Sequence, residues 1–177
     1  MHKISKNIYQ IPLNKTEIIS TSSDPETHTG MDENAIDFAV REDSKVFAAA
    51  AGEIIFVKDD SAEGGDDEKY EDFTFYNHIV IKHDNGEYTE YGHLKNKSAL
   101  KKVGDKVVGG EAIALSGNTG YSSEPHLHFS FFVLDKMDED FSKLPKNKEY
   151  FINDEDFGFQ TIKANFLSRT MYRLFGR

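Results

Sequence analysis

Two histidines separated by one residue, His126 and His128, are the part of this sequence that most directly suggests chemistry. In an extended strand, residues i and i+2 point to the same face about 6.5–7 Å apart, so the two imidazoles project side by side. One imidazole can then hold a metal ion while the other reaches a water molecule bound to it. An isolated His-x-His pair also fits two half-exposed histidines on a strand, but His93 and His28 stand upstream of this pair. The first hypothesis is therefore a metal site with attendant bases.

A zinc ion in a hydrolase takes three protein ligands and leaves a fourth position for water, whose pKa falls to about 7. The groups that could serve are His28, at the start of a Gly-containing loop, Asp37, on the strand predicted to follow it, His93, His126 and His128. Three of them would bind the metal, and the others would handle protons. Neither their chemistry nor their spacing assigns these roles.

Composition narrows the classes of ligand and partner. The chain has 177 residues, enough for a hydrophobic core without a structural metal, so a zinc ion would be catalytic. Because there is no cysteine, thiolate zinc sites, disulfides and cysteine nucleophiles are excluded. The formal net charge of −10 argues against nucleic-acid binding. No apolar run is long enough for a membrane helix, and residues 1–5 lack the apolar core of a signal peptide.

Short strands separated by turn residues predict an all-β, mainly antiparallel fold, either a twisted sheet or a sandwich. Alternating residues in 77–83, an Asp-Asn-Gly turn and residues 87–91 predict a hairpin. Residues 46–57 fit a strand pair or one long strand, and residues 126–134 predict a further strand. The apolar spacing within 166–175 predicts a short C-terminal helical segment.

Several other polar residues receive structural interpretations. The acidic segment 59–72 has almost no apolar content and predicts a solvated loop, and it lacks the spacing of a known calcium loop. His78 and His83 lie on opposite faces of one predicted strand, so they cannot both face a single site. Tyr121 and Asn118 flank the site in a Gly-rich loop and could contact substrate, although Asn118 fits a turn-forming role equally well.

Taken together, these motifs resemble the lysostaphin-type (LytM-like, β-lytic) zinc metalloendopeptidases, and the resemblance extends from His28 to Leu134. It is carried by His28 with Asp37, the strand 77–83, Tyr91-Gly92-His93-Leu94, the turn 103–107, Gly117-Asn118-Thr119-Gly120 and Pro125-His126-Leu127-His128-Phe129.

The resemblance implies a twisted antiparallel sheet with a substrate groove. One Zn²⁺ per chain would be held by His28, Asp37 and His128. His93 and His126 would be the catalytic residues, which orient and deprotonate the attacking water and stabilise the oxyanion. The domain organisation predicted with it is a lead-in at 1–25, a peptidase domain at 26–160 and a helical tail at 161–177.

Two aspartates compete for the ligand position after His28. The commonest motif of the family is His-x-Gly-x-Asp, which places Asp32 at that position. Asp37, however, is followed by Phe38 and then by the small-residue strand that starts at Val46, which is the register that the family's aspartate keeps. The resemblance therefore favours Asp37 as the ligand, with Asp32 in a loop near the groove as the alternative.

The function implied is hydrolysis of peptide bonds in the cross-links or stem peptides of bacterial peptidoglycan. The alternative is a non-catalytic member of the same family that binds wall material or regulates another wall hydrolase. Such members commonly lose ligands, and this chain has lost none of them. Residues 103–113 also look like the glycine turn of biotinyl and lipoyl carrier domains, but no lysine stands at a suitable hairpin tip.

The location expected of this protein follows from its expected substrate. Peptidoglycan lies outside the membrane, so the resemblance implies an extracellular or periplasmic protein of the cell envelope. The sequence alone fits either a cytosolic protein or the mature part of an exported one, and the implied function favours a secreted protein whose leader has been removed.

Overall fold

The computed structural model describes residues 3–23, 28, 32, 34–134 and 159–166. Within them the chain is almost entirely β-structure, which confirms the all-β, mainly antiparallel prediction. Across these ranges no helix has the length and apolarity needed to cross a bilayer. The strands are β1 Lys3–Tyr9, β2 Ser20–Ser22, β3 Ile36–Ala39, β4 Lys45–Phe47, β5 Gly52–Lys58, β6 Gly64–Gly65, β7 His78–Lys82, β8 Glu87–Gly92, β9 Lys106–Val107, β10 Ala112–Leu115, β11 Gly120–Tyr121, β12 His126–Leu134 and β13 Phe159–Phe166, with a 3-10 helix at Glu68–Glu71 between β6 and β7.

The main sheet is organised around β12. The strand order of this sheet is β1-β13-β12-β8-β7-β5-β9. In addition, β3 pairs with β12, and β2 pairs with β3. Both β3 and β8 run antiparallel to β12, and both place a residue opposite His128: Asp37 from β3 and Gly92 from β8. Three separate stretches of sequence therefore meet at one point of the sheet.

The predicted hairpin is present as β7 and β8, which pair antiparallel. Gly86 lies in the connecting turn with φ 79°, a left-handed conformation that glycine adopts without strain. Residues 46–57 contain two strands, β4 and β5, which do not pair with each other. β4 pairs with β10, whereas β5 pairs with β7 and β9.

Alternation along the strands separates the core from the site. On β12, Leu127 and Phe129 are fully buried in the hydrophobic core, and so is Tyr91 on β8. His126 and His128, which alternate with these apolar residues along β12, point to the opposite face, as the two-residue period of a strand requires. One face of the sheet is thus apolar and packed, and the other face carries the polar groups.

The predicted helical tail is wrong for residues 161–166, which belong to strand β13. β13 pairs antiparallel with β12 and parallel with β1. Ile162, Ala164 and Phe166 alternate with polar residues, which is the period of a strand, whereas the helical prediction used only the apolar spacing that begins at Phe166. The remainder of the predicted helical tail, 167–177, lies outside the described residues. The domain limits stay a prediction, although the sheet has strands on both sides of each limit.

We expect β1 to contribute substantially to stability because Tyr9 is 1% exposed, its ring packs on His83 and Phe131, and its hydroxyl donates to Glu87 at 2.9 Å. Tyr9→Ala should lower the free energy of unfolding in urea by about 3–5 kcal/mol. The neighbouring Ile8→Ala, at a side chain that is 54% exposed, should change it by less than about 0.5 kcal/mol. Equal effects of the two substitutions would contradict a packed β1.

Candidate metal and catalytic site

The register between β3 and β12 brings Asp37 and His128 together. They are directly opposite in the ladder, and His128 Nδ1 lies 2.9 Å from Asp37 Oδ1. His28, which precedes β3, places its Nε2 atom 3.0 Å from the other oxygen of Asp37, Oδ2. Each carboxylate oxygen therefore faces a different imidazole. One ligand atom from each of the three residues lies within 4.8 Å of the others, so the structure brings together the three predicted ligands.

The two predicted catalytic histidines lie beside this cluster. The imidazole of His126 has its Nε2 atom 3.7 Å from Asp37 Oδ1, and its ring centroid is 4.3 Å from that of His93. The ring of His93 is also 6.1 Å from that of His128 and perpendicular to it. All five residues predicted from the sequence thus converge on one place.

Backbone carbonyls fix how His93 and His126 present their nitrogens. His93 Nδ1 lies 2.7 Å from the carbonyl oxygen of Thr119, and His126 Nδ1 lies 2.9 Å from that of Glu124. Because a carbonyl oxygen only accepts, each Nδ1 must carry the hydrogen. Each Nε2 is then an acceptor in the neutral ring. The Ser122 hydroxyl is a second neighbour of His126 Nδ1, at 3.1 Å.

The electrostatics of the cluster favour positive charge between its carboxylates. Burial alone would raise the pKa of the Asp37 carboxyl, but hydrogen bonds from His128 and His28 outweigh it and hold that pKa far below its usual range. Burial alone would lower the pKa of His128, yet Asp32 and Asp37 raise it well above its ordinary value. A site that holds a proton so strongly offers a cation the same negative potential.

His93 and His126 show the opposite behaviour. Burial lowers the pKa of His93 well below its ordinary value, and the neighbouring His126 and His128 lower it further. Burial also lowers the pKa of His126, although Asp37 partly opposes this effect. Both imidazoles are therefore neutral at pH 7 and can accept a proton or a hydrogen bond at Nε2.

Asp32 does not converge with His28, Asp37 and the Nδ1 atom of His128; it lies on the other side of the His128 ring. Its Oδ1 atom lies 3.1 Å from His128 Nε2, on the side of the ring away from Nδ1 and Asp37. The imidazole of His128 is thus held between two carboxylates. In metal sites, a carboxylate bonded to the second nitrogen of a histidine ligand sets its orientation and raises its basicity.

The converging groups fit a metal ion. Two imidazole nitrogens and one carboxylate oxygen are donors that suit zinc and other borderline divalent ions. His28, Asp37 and His128 come from different parts of the chain, and they line a groove of about 550 Å³ that leaves room for a non-protein ligand. The two His–Asp contacts of 2.9 and 3.0 Å show that the donor atoms are close enough to share one ion.

The acidic segment 59–72 forms one wall of this groove. It was predicted to be a solvated loop, and most of it is exposed, but it contains β6 and the 3-10 helix. β6 pairs in parallel with β11, which places Asp66 and Glu71 along the groove. Among the described residues, the converging group of His28, Asp37 and His128 includes no residue of this segment.

The two residues predicted to flank the site, Tyr121 and Asn118, have different positions. Tyr121 is 50% exposed and lines the groove, whereas Asn118 accepts a hydrogen bond from the Ser122 hydroxyl and supports the turn. The sequence analysis missed Tyr76 and Glu90, which also line the groove. The available signal was Glu90 itself, a charged residue that alternates with the core residues of a predicted strand.

The remaining histidines, His78 and His83, are both buried and hydrogen-bonded. His78 Nδ1 lies 2.6 Å from Glu90 Oε1. The ring of His83 bonds the Ala51 carbonyl and the Thr89 hydroxyl. His83 is remote from the groove lining, which agrees with the structural role predicted for it.

Several named proteins are similar in sequence to part of this chain. The chain is 30% identical over 135 residues to the peptidoglycan DD-endopeptidase ShyA of Vibrio cholerae, covering 73% of this chain and 28% of that protein. It is 36% identical over 105 residues to the DD-carboxypeptidase/endopeptidase Mpg of Neisseria meningitidis, covering 59% of this chain and 21% of that protein. The chain therefore spans less than a third of the length of these relatives.

Among solved structures, the catalytic domain of lysostaphin from Staphylococcus simulans is 28% identical, with a TM-score of 0.46, covering 63% of this chain and 77% of that one.

The family comparison covers four of the five converging residues. The sequence model of peptidase family M23 matches residues 31–139, which is more than half of the chain. The match includes Asp37, His93, His126 and His128 and begins three residues after His28. With the sheet, the groove and this match in agreement, the chain belongs to peptidase family M23.

Proposed function

We propose that this protein is a zinc metalloendopeptidase that hydrolyses peptide bonds in the cross-links or stem peptides of bacterial peptidoglycan. The observation that carries this proposal is the convergence of His28, Asp37 and His128 beside the neutral pair His93 and His126 in one groove. The names of two relatives, a peptidoglycan DD-endopeptidase and a DD-carboxypeptidase/endopeptidase, support the substrate class.

The residues that would hold the zinc ion are His28 through Nε2, Asp37 through its carboxylate and His128 through Nδ1. These are the atoms that face one another in the structure. When bound, the ion supplies Lewis-acid activation of a water molecule and of the scissile carbonyl. Asp32 would act as the outer carboxylate, which accepts a hydrogen bond from His128 Nε2 and keeps the ring oriented.

His93 and His126 would handle the proton and the developing charge. Their Nδ1–H groups donate hydrogen bonds to the carbonyls of Thr119 and Glu124, so in each ring only Nε2 is available to the reaction. One Nε2 can remove the proton from the attacking water, and a protonated imidazole can then donate to the oxyanion. Since the two rings are 4.3 Å apart, protonation of one disfavours protonation of the other, which keeps one of the pair in the basic form.

The proposed substrate also fixes the proposed place of action. Peptidoglycan lies in the cell envelope, so we propose an extracellular or periplasmic site of action. The chain as a whole carries a formal net charge of −10, and Asp66 and Glu71 line the groove, so general electrostatic attraction to an anionic wall would not contribute to substrate binding.

The ligand assignment predicts different effects for the two aspartates. Native mass spectrometry of the unaltered chain should show one bound zinc, and Asp37→Asn and His128→Ala should each abolish it. Asp32→Asn should keep the stoichiometry and weaken zinc affinity by about 10- to 100-fold, as expected for an outer partner. The assignment would be reversed if Asp32→Asn lost zinc while Asp37→Asn retained it.

The catalytic assignment predicts a loss of rate without a loss of metal. His93→Ala and His126→Ala should each lower kcat for the release of new amino termini from peptidoglycan by about 10²- to 10⁴-fold, with zinc content unchanged. His83→Gln, at a buried histidine away from the groove, is the matched control and should retain the rate. A zinc-loaded chain that binds insoluble peptidoglycan but releases no amino termini would instead indicate the wall-binding member of the family.

The lowered pKa values of His93 and His126 predict the acid limb of the pH profile. A lowered pKa keeps the imidazole neutral, so activity should persist below the ordinary histidine value of about 6.5 and fall only as pH drops through the lowered pKa. A nearby cation shifts both pKa values in the same direction. We would measure kcat/KM against pH and follow zinc content and circular dichroism in parallel. A half-maximal rate above pH 6.5 in the folded, loaded protein would contradict the prediction.

A further inference from the structure

A half-buried tyrosine, Tyr76, forms a hydrogen-bonded chain with a buried glutamate and a buried histidine next to His93, and the reaction proposed above gives these three residues no role. The Tyr76 hydroxyl donates to the carboxylate of Glu90. His78 Nδ1 donates to the same carboxylate, 2.6 Å from Oε1. Glu90 is 3% exposed and His78 is 5% exposed. A buried carboxylate with two such donors is held in one orientation.

Tyr76 connects this chain to the catalytic pair. Its ring stands perpendicular to that of His93 at 4.9 Å and lies 4.9 Å from that of His78. His78 is backed in turn by Phe56, at 4.8 Å between ring centroids. The tyrosine is therefore wedged between a structural histidine and a catalytic one, and a shift of its ring would displace His93.

Tyr76 packs against two glycines, Gly92 and Gly120, at positions where a side chain would overlap or crowd it. A Cβ on Gly92, which immediately precedes His93, would overlap the Tyr76 hydroxyl. A Cβ on Gly120 would lie 3.2 Å from Cδ2 of the same ring. Gly120 follows Thr119, whose carbonyl accepts the hydrogen bond from His93 Nδ1. Tyr76 thus packs against both backbone segments that determine the orientation of His93.

The hydroxyl of Tyr76 is suited to anchoring and not to the transfer of protons. Burial raises the pKa of Tyr76 well above its ordinary value, and the charges of Glu90 and Asp32 raise it further. The hydroxyl consequently stays protonated and is committed to Glu90.

We propose that Tyr76 is a positioning residue for His93, anchored through its hydroxyl on Glu90 and His78, which keeps the Nε2 atom of His93 directed into the groove. This inference rests on the proposed function, because it assigns a role in the same reaction. Tyr76 and Glu90 act through His93 and leave the metal ligands unchanged.

The test removes the anchor and leaves the ring in place. Tyr76→Phe and Glu90→Gln should each lower kcat by about three- to tenfold, the range expected for one buried hydrogen bond, with KM and zinc content unchanged. The double variant should lose less than the product of the two single effects, because both substitutions break the same contact. In nitrogen-15 NMR spectra, His93 should change from one tautomer to a mixture of two.

Strand β8, which carries Glu90, also provides matched controls. Tyr91→Phe removes a buried tyrosine hydroxyl that is bonded to Ala49 N and the Thr89 hydroxyl, on the core side of β8. Glu87→Gln alters a carboxylate that is 4% exposed and accepts from the Tyr9 hydroxyl. Both controls should lower thermal stability while leaving kcat and the His93 signals unaltered.

Two results would overturn the inference. One is a set of His93 signals that stay unchanged in both Tyr76→Phe and Glu90→Gln. The other is a loss of kcat in the two controls that equals the loss in the test variants. Because the NMR measurement needs no substrate, an unaltered chain that fails to cut peptidoglycan would count against the proposed function and leave this test intact.

Discussion

The carboxylate of Asp37 is the group on which the geometry of the site depends. Its side chain is only 24% exposed, and each of its oxygens faces a different imidazole, that of His28 or that of His128. A carboxylate removed from water is costly unless a positive partner compensates for the lost hydration. The site therefore requires positive charge at the point where the two histidines meet, and a proton or a divalent cation can supply it. The same requirement explains why a further carboxylate, that of Asp32, can lie so close to His128.

Strand register converts this local requirement into a property of the whole sheet. β12 has β3 on one side and β8 on the other, so a single ladder position aligns Asp37, His128 and Gly92. A slip of one residue in either ladder would turn Leu127 towards the groove and His128 into the apolar core. The burial of Leu127, Phe129 and their neighbours therefore specifies the positions of Asp37 and His128, although none of these apolar residues reaches the site.

How far the sequence predicts this structure depends on the range of the contacts. The β7–β8 hairpin and the His126–His128 strand are local patterns, and both were predicted correctly. The structure brings the five predicted site residues together, but their roles came from family resemblance, because spacing along the chain does not assign them. Asp32 and His128 are 96 positions apart, and no local pattern could place that carboxylate on the far nitrogen of His128. The strand at 159–166 was missed because helical spacing beyond it was given more weight than the two-residue alternation within it.

The fold itself holds the backbone of His93, the histidine proposed to act in catalysis, before any substrate binds. The φ of this residue, 55°, lies in the left-handed region, which costs a non-glycine residue about 1–3 kcal/mol when the surroundings impose it. Three hydrogen bonds offset this cost: His93 Nδ1 to the Thr119 carbonyl, Gly117 N to the His93 carbonyl and Leu94 N to the Asn77 carbonyl. These bonds tie the turn after β8 to the Gly-rich loop and to the start of β7. The orientation of the imidazole is thus set by folding, so substrate binding need not supply that ordering during the reaction.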